Sequence, residues 1–197
     1  MQIVIPLFEG LTVLDAIGPY DVLRHLPGVH IQFAAQRPGP ISDDFGACTL
    51  SAQAALADVP RPDVILVPGG RGSRNHTRDG PLRDWVIAAD ETSTWTTSVC
   101  TGSLILAGAG LLKGREATTH WRAYDEIAPF GVRLRRERYV FDGKYVTAAG
   151  VSAGIDMAIA LAARIAGEEK AREIQGRIEY DPEPPFDISA LLGYGSA

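Results

Sequence analysis

Cys100 is the side chain in this sequence best placed for covalent chemistry. It ends the Thr-rich, strand-like run Trp95–Val99, and Thr101-Gly102-Ser103 then opens an apolar helix. A buried strand that stops at a nucleophile and reverses at once into a helix is the nucleophile-elbow arrangement. Such a turn projects its side chain above the carboxyl ends of the strands, where open α/β sheets hold their ligands. A helix N-terminus beside the sulfur favours the thiolate, and Gly102 is expected to ease the turn. A thiol near its neutral pKa is already partly ionised, so it needs less help from a base than a serine would.

The other reactive side chains carry less context. Cys48 lies between Ala47 and Thr49 in a Gly- and Pro-rich stretch and is expected to serve packing. Two cysteines make no disulfide framework, and no Cys-x-x-Cys spacing suggests zinc. His25, His30 and His76 lack ligand spacing and read as surface or loop residues. Thr12-x-x-Asp15 fits a helix capping box.

The elements around Cys100 alternate between strand and helix signals, which predicts a layered α/β sheet with helices on both faces. Residues 3–7 read as a buried strand. Residues 12–26 read as a helix that Pro19 should kink or restart after Gly18. A second strand is expected at 31–35 and a loop or hairpin at 37–46. Residues 63–67 are the clearest buried strand and run into Pro68-Gly69-Gly70. A helix over Pro81–Asp90 carries Trp85, and the helix after Cys100 should continue to Leu112, closed by Gly114. Short strand and helix segments follow at 117–119 and 121–127. Tyr139-Val140-Phe141 and Tyr145-Val146-Thr147 flank Asp142-Gly143-Lys144, a hairpin signal. Helices at 152–166 and 168–179 part at Gly167, and three prolines from Asp181 onward predict an extended tail.

Bulk properties bound the partners. The 197 residues, 46% hydrophobic and 22% charged, fit one domain, residues 1–197, with a full core. A net charge of −5, with Arg133 to Arg138 reading as the solvated side of a strand, argues against nucleic acid. No apolar run is long enough to span a bilayer, and Met1 leads directly into a strand with no leader-like segment. No membrane association and a reducing cytoplasmic location are the expectation, with both thiols free.

Longer motifs add a resemblance. The runs Ser98-Val99-Cys100-Thr101-Gly102-Ser103, Ala107-Gly108-Ala109-Gly110-Leu111-Leu112 and Ala117-Thr118-Thr119-His120-Trp121 resemble the DJ-1/PfpI superfamily. So do Phe8-Glu9-Gly10, Leu14-Asp15, Gly18-Pro19, Val67-Pro68-Gly69-Gly70, Ala149-Gly150-Val151-Ser152-Ala153-Gly154 and Asp181-Pro182-Glu183-Pro184-Pro185-Phe186. Together they cover nearly the whole chain in family order. They are most similar to the isocyanide hydratase branch. The resemblance implies a flavodoxin-like, class I glutamine amidotransferase-like three-layer sandwich with a mostly parallel sheet, and a homodimer.

It also implies site roles. Asp15 stands where that branch has an acidic residue facing the cysteine. There it would shuttle protons, its carboxyl held protonated by repulsion from a thiolate and lying within hydrogen-bond reach of the sulfur. Thr101 replaces the histidine of proteolytic members, which argues against peptidase activity. Gly70 and Val151 are candidate backbone N–H donors to a developing negative charge, or plain turn residues. His120 stands where several relatives have a histidine near the thiol, a place equally suited to packing beside Trp121. The implied activity is hydration of an isocyanide, a small electrophile, to an N-formamide through a thioimidate on Cys100, without metal or organic cofactor. Two alternatives stay open. One is glyoxalase-type action on 2-oxoaldehydes, usually built on glutamate rather than aspartate. The other is a ligand- or redox-sensing domain, free-standing because the residues after Phe186 leave no room for a helix-turn-helix module.

Overall fold

The structure, a computed structural model, describes residues 1–194; the last three residues of the expected 1–197 domain lie outside them. Seven strands form the central sheet. In chain order they are β1 (Gln2–Pro6), β2 (His30–Ala35), β5 (Ala54–Ala55), β6 (Val64–Val67), β7 (Trp95–Val99), β10 (Tyr139–Asp142) and β11 (Tyr145–Ala148). A separate hairpin pairs β3 (Gly39–Ser42) with β4 (Thr49–Ala52), and β8 (Glu116–Ala117) pairs with β9 (Arg133–Leu134). The sheet order is β10-β11-β7-β6-β1-β2-β5, parallel throughout except for the β10–β11 hairpin. Every residue of β6 is buried, as a strand covered on both faces requires.

Helices α1 (Val13–Leu23), α5 (Ala153–Ala166) and α6 (Glu168–Arg177) pack together; α2 (Pro81–Asp90), α3 (Gly102–Gly108) and α4 (Tyr124–Ile127) form the other group. The expected three-layer, flavodoxin-like α/β architecture is therefore what the chain adopts. The restart expected at Pro19 does not occur. Helix α1 runs through it, with Pro19 seated against Gly154 and Gly18 against Ile155 of α5. The helix after Cys100 stops at Gly108 rather than Leu112, and the chain turns through Gly110. The tail is extended from Asp181, with a short α7 (Ser189–Leu192) near its end.

This topology fixes where a site can form. The chain leaves β1 toward β2 on one side, then returns to place β6 and β7 on the other. The carboxyl ends of β1 and β6 thus flank the point where strand order reverses, the crevice that open α/β sheets use. Asp15 follows β1, Gly69 and Gly70 follow β6, and Cys100 follows β7.

Candidate active site

Cys100 adopts φ +57°, a left-handed conformation uncommon for a residue with a side chain. The turn is held on both sides. Its N–H donates to Ala148 O at 3.0 Å. Its carbonyl accepts from Ser103 Oγ at 3.0 Å and Thr119 Oγ1 at 3.1 Å. The elbow expected from the strand–Cys–Thr–Gly–helix run is present, but Gly102 serves it differently. The left-handed φ falls on Cys100, whereas Gly102 is needed because a Cβ there would lie 2.2 Å from Val67 O.

Asp15 faces the elbow from the first turn of α1 and is fully buried. The capping-box alternative is not realised. Thr12 makes no side-chain cap, and its hydroxyl points to Asp44 Oδ2 at 3.4 Å. Asp15 Oδ2 instead accepts from Gly69 N–H at 2.9 Å, while Oδ1 is buried without a hydrogen-bond partner. The Asp15 carboxyl and the Cys100 thiol are close enough to influence each other's ionisation. Gly69 makes this closeness possible: a Cβ on it would meet Thr101 N at 2.5 Å and Asp15 Oδ2 at 2.9 Å.

The electrostatics depart from two expectations. Burial, foremost, pushes the Asp15 carboxyl up to about 7, and the charge of Asp44 adds to it; repulsion from a thiolate is not the main cause. Burial and the negative charge of Asp15 also push the Cys100 thiol up. The Thr101 N–H pulls the thiol the other way without offsetting that rise. Seven residues of α3 behind a buried sulfur do not make a resting thiolate. The pair holds its protons tightly, and one Asp15 carboxyl oxygen is buried without a hydrogen-bond partner.

Thr101 forms a closed clamp with Gly70. Its hydroxyl accepts from Gly70 N–H and donates to Gly70 O, both at 3.0 Å. The Gly70 amide is therefore already spent and is not the free donor expected of it. Val151 lies half-buried in the turn before α5. His120 stacks on Trp121, and its Nδ1 accepts from Arg122 N–H at 3.3 Å. Burial first, then the charges of Arg122 and Arg74, lower its pKa and keep it neutral. Its ring edge instead approaches Gly150, where a Cβ would be 3.4 Å from Cδ2. Cys48 contradicts its expected packing role, being exposed at the end of the 43–48 loop that Asp43 organises through its amides. Trp85 packs in the core with its indole N–H on Val59 O, away from the site.

Gly69, Thr119, Ser103 and Asp44 were not legible as site residues. The Pro-Gly-Gly run after a buried strand and the paired Thr118-Thr119 were the signals that pointed toward the first two.

The chain has relatives among known proteins. Residues 1–164 match the DJ-1/PfpI family. This chain belongs to that family. Among DJ-1/PfpI relatives it is 40% identical over 187 residues to the isonitrile hydratase of Pseudomonas putida, covering 95% of this chain and 82% of the relative. It is 27% identical to the HTH-type transcriptional regulator CdhR of Pseudomonas aeruginosa, over 85% of this chain but only 52% of that protein. A crystal structure of a ThiJ/PfpI family protein from Pseudomonas syringae superposes with a TM-score of 0.90 at 34% identity, covering 94% of this chain and 77% of that one. Drosophila melanogaster DJ-1beta shares the fold at TM-score 0.82 and 20% identity, covering 92% and 98% of the two chains. Among the described residues no helix is long and apolar enough to cross a membrane, and no cluster of three or more His, Cys, Asp or Glu could hold a metal.

Proposed function

We propose that this protein hydrates isocyanides (isonitriles) to N-formamides, with Cys100 as nucleophile and Asp15 as the proton carrier. The observation that carries the reading is the buried Asp15 carboxyl, at about 7, facing a thiol on a strained elbow. The 40% identity to an isonitrile hydratase supports the same reaction.

The chemistry balances with only water added. The ionised Asp15 takes the Cys100 proton as sulfur attacks the terminal carbon of R–N≡C. The proton passes to that carbon, leaving a thioimidate, R–N=CH–S–Cys100. Asp15 then takes a proton from water as the water oxygen adds to the carbon, and passes that proton to the nitrogen, leaving R–NH–CH(OH)–S–Cys100. Collapse breaks the C–S bond, releases R–NH–CHO and returns a proton to sulfur. The covalent intermediate divides one difficult addition into two easier ones. In this reading Thr101 favours the negative sulfur through its backbone N–H. Val151 N–H is the backbone donor assigned to the developing charge on nitrogen.

A protonated, buried thiol is also a poor redox sensor, because oxidation follows thiolate character and exposure. That weighs against the redox-sensing alternative. The deciding experiment is turnover of a simple aryl or alkyl isocyanide by wild type and Cys100→Ala, with methylglyoxal run alongside. Formamide production abolished by Cys100→Ala is the expected result. Full isocyanide turnover by that variant, or turnover of methylglyoxal alone, overturns the reading.

A further inference from the structure

A second cavity lies apart from Cys100, beyond the carboxyl ends of β1 and β2 and beneath β3. Its volume is about 630 Å³, within the range of small-molecule sites. None of Cys100, Asp15 or Thr101 lines it. Three kinds of surface meet there. Phe8, Leu56 and Leu82 supply a buried apolar floor. Glu9 supplies a carboxylate, one oxygen of which is fixed by the Ser42 N–H at 3.1 Å. The third kind is made of Arg37, Asn75 and His76, which line the cavity without any hydrogen bond or ion pair from their side chains among the described residues.

Those idle groups set the ligand chemistry. The His76 ring packs edge-on against Phe8 at 5.0 Å, which fixes it in the wall, and burial keeps it neutral, able to donate at one nitrogen and accept at the other. Helix α2 begins at the same wall, since Pro81 and Leu82 both line the cavity. Its ten residues add the partial positive charge of a helix N-terminus to that of Arg37. A simple anion would meet Glu9, and a simple cation would meet Arg37. A neutral apolar molecule would engage neither charge.

We propose that this cavity is a second binding site, for a small zwitterion carrying a carboxylate and an ammonium group on a short apolar body, the class of apolar α-amino acids. Arg37 and the start of α2 take the carboxylate, Glu9 the ammonium, and the Phe8–Leu56–Leu82 floor the side chain. The site stands independently of the hydratase reading.

The test is calorimetric titration of the full chain with L-phenylalanine and L-leucine as zwitterionic probes, 3-phenylpropionate as the anion-only probe and phenethylamine as the cation-only probe. One zwitterion per chain should bind, with the single-charge probes about tenfold weaker or more. Arg37→Gln and Glu9→Gln should each weaken the zwitterion by about tenfold. Both variants should fold, because Arg37 is exposed and glutamine can still accept from Ser42 N–H. Cys100→Ala should bind it unchanged, which separates this cavity from the crevice at the elbow. Absence of saturable zwitterion binding, equal binding of 3-phenylpropionate, indifference to Arg37→Gln, or loss in Cys100→Ala each overturns the assignment.

Discussion

Asp15 and Cys100 titrate as a pair, so the competent form is the one that holds a single proton between them. With burial setting the carboxyl at about 7 and the thiol above its ordinary value, that form is ionised Asp15 beside the protonated thiol. It is populated above about 7 and lost to the doubly protonated pair below. For isocyanide turnover, kcat/KM should therefore rise as pH passes through about 7 and then stay level through mildly alkaline pH. Asp15→Asn keeps an acceptor for Gly69 N–H but cannot carry the proton, so it should lower kcat by about 10²–10⁴-fold and erase the limb near 7. A flat profile in wild type would remove Asp15 from the chemistry. Cys100 was readable from sequence because it directly follows a strand and opens a helix, whereas Asp15, inside α1, was singled out by the family resemblance. Their ionisation was not. It is set by burial, to which side chains from several elements contribute, and no spacing of residues reports that.

At the scale of elements, the main strands and the elbow were legible because hydrophobic runs, turn residues and the Pro-Gly-Gly break mark them locally. What escaped was contact between distant elements. The Thr101–Gly70 clamp joins the residue after β7 to the loop after β6, and Cys48 is exposed because its hairpin stands off the main sheet. A second polar cluster, at the opposite ends of the strands, was equally hidden. Asp90 at the end of α2 accepts from Thr96 Oγ1 at 2.6 Å and Tyr145 OH at 3.0 Å, and pairs with Lys144 at 3.2 Å. It ties α2 to β7 and β11 on the side of the sheet away from Cys100. Removing the carboxylate leaves a buried tyrosine hydroxyl without its partner and the half-buried Lys144 ammonium with only the Asp90 carbonyl. Asp90→Ala should cost about 3 kcal/mol in denaturant unfolding. Turnover per folded molecule should be unchanged, which separates this scaffold cluster from the site. A loss of kcat without a loss of stability would reverse that assignment.

The whole molecule presents two consequences. Phe186, Ile188 and Leu191 are large, exposed and close together in the tail, at 78%, 51% and 59% of their full exposure. Such a patch marks an interaction surface, and we propose that it is covered by a second copy of the chain. Sedimentation equilibrium should give about twice 21.1 kDa, and Phe186→Ser should shift the molecule toward the monomer. A monomer at micromolar concentration would refute the proposal.

The second consequence is global stability, which carries the cost of keeping Asp15 inside. In the unfolded chain its carboxyl ionises near the ordinary value of 3.8; in the folded chain it does so at about 7. Between those values the native state holds a proton that the unfolded state has released, so stability falls as pH rises. The loss is complete once pH has passed the folded value. Its size is bounded by the difference between the two pKa values, about 4 kcal/mol, and relaxation around the site will reduce it. Well below 3.8 both states are protonated and the residue exerts no such pull. Asp15→Asn lacks this titration while keeping the Gly69 contact. Its stability relative to wild type should accordingly increase from pH 4.5 to pH 8, as measured by urea unfolding at both. A difference between the two proteins that does not change with pH would mean that the carboxyl is not held protonated by the fold. The same result would remove the physical basis for an activity limb near 7, because stability and catalysis would draw on one buried proton.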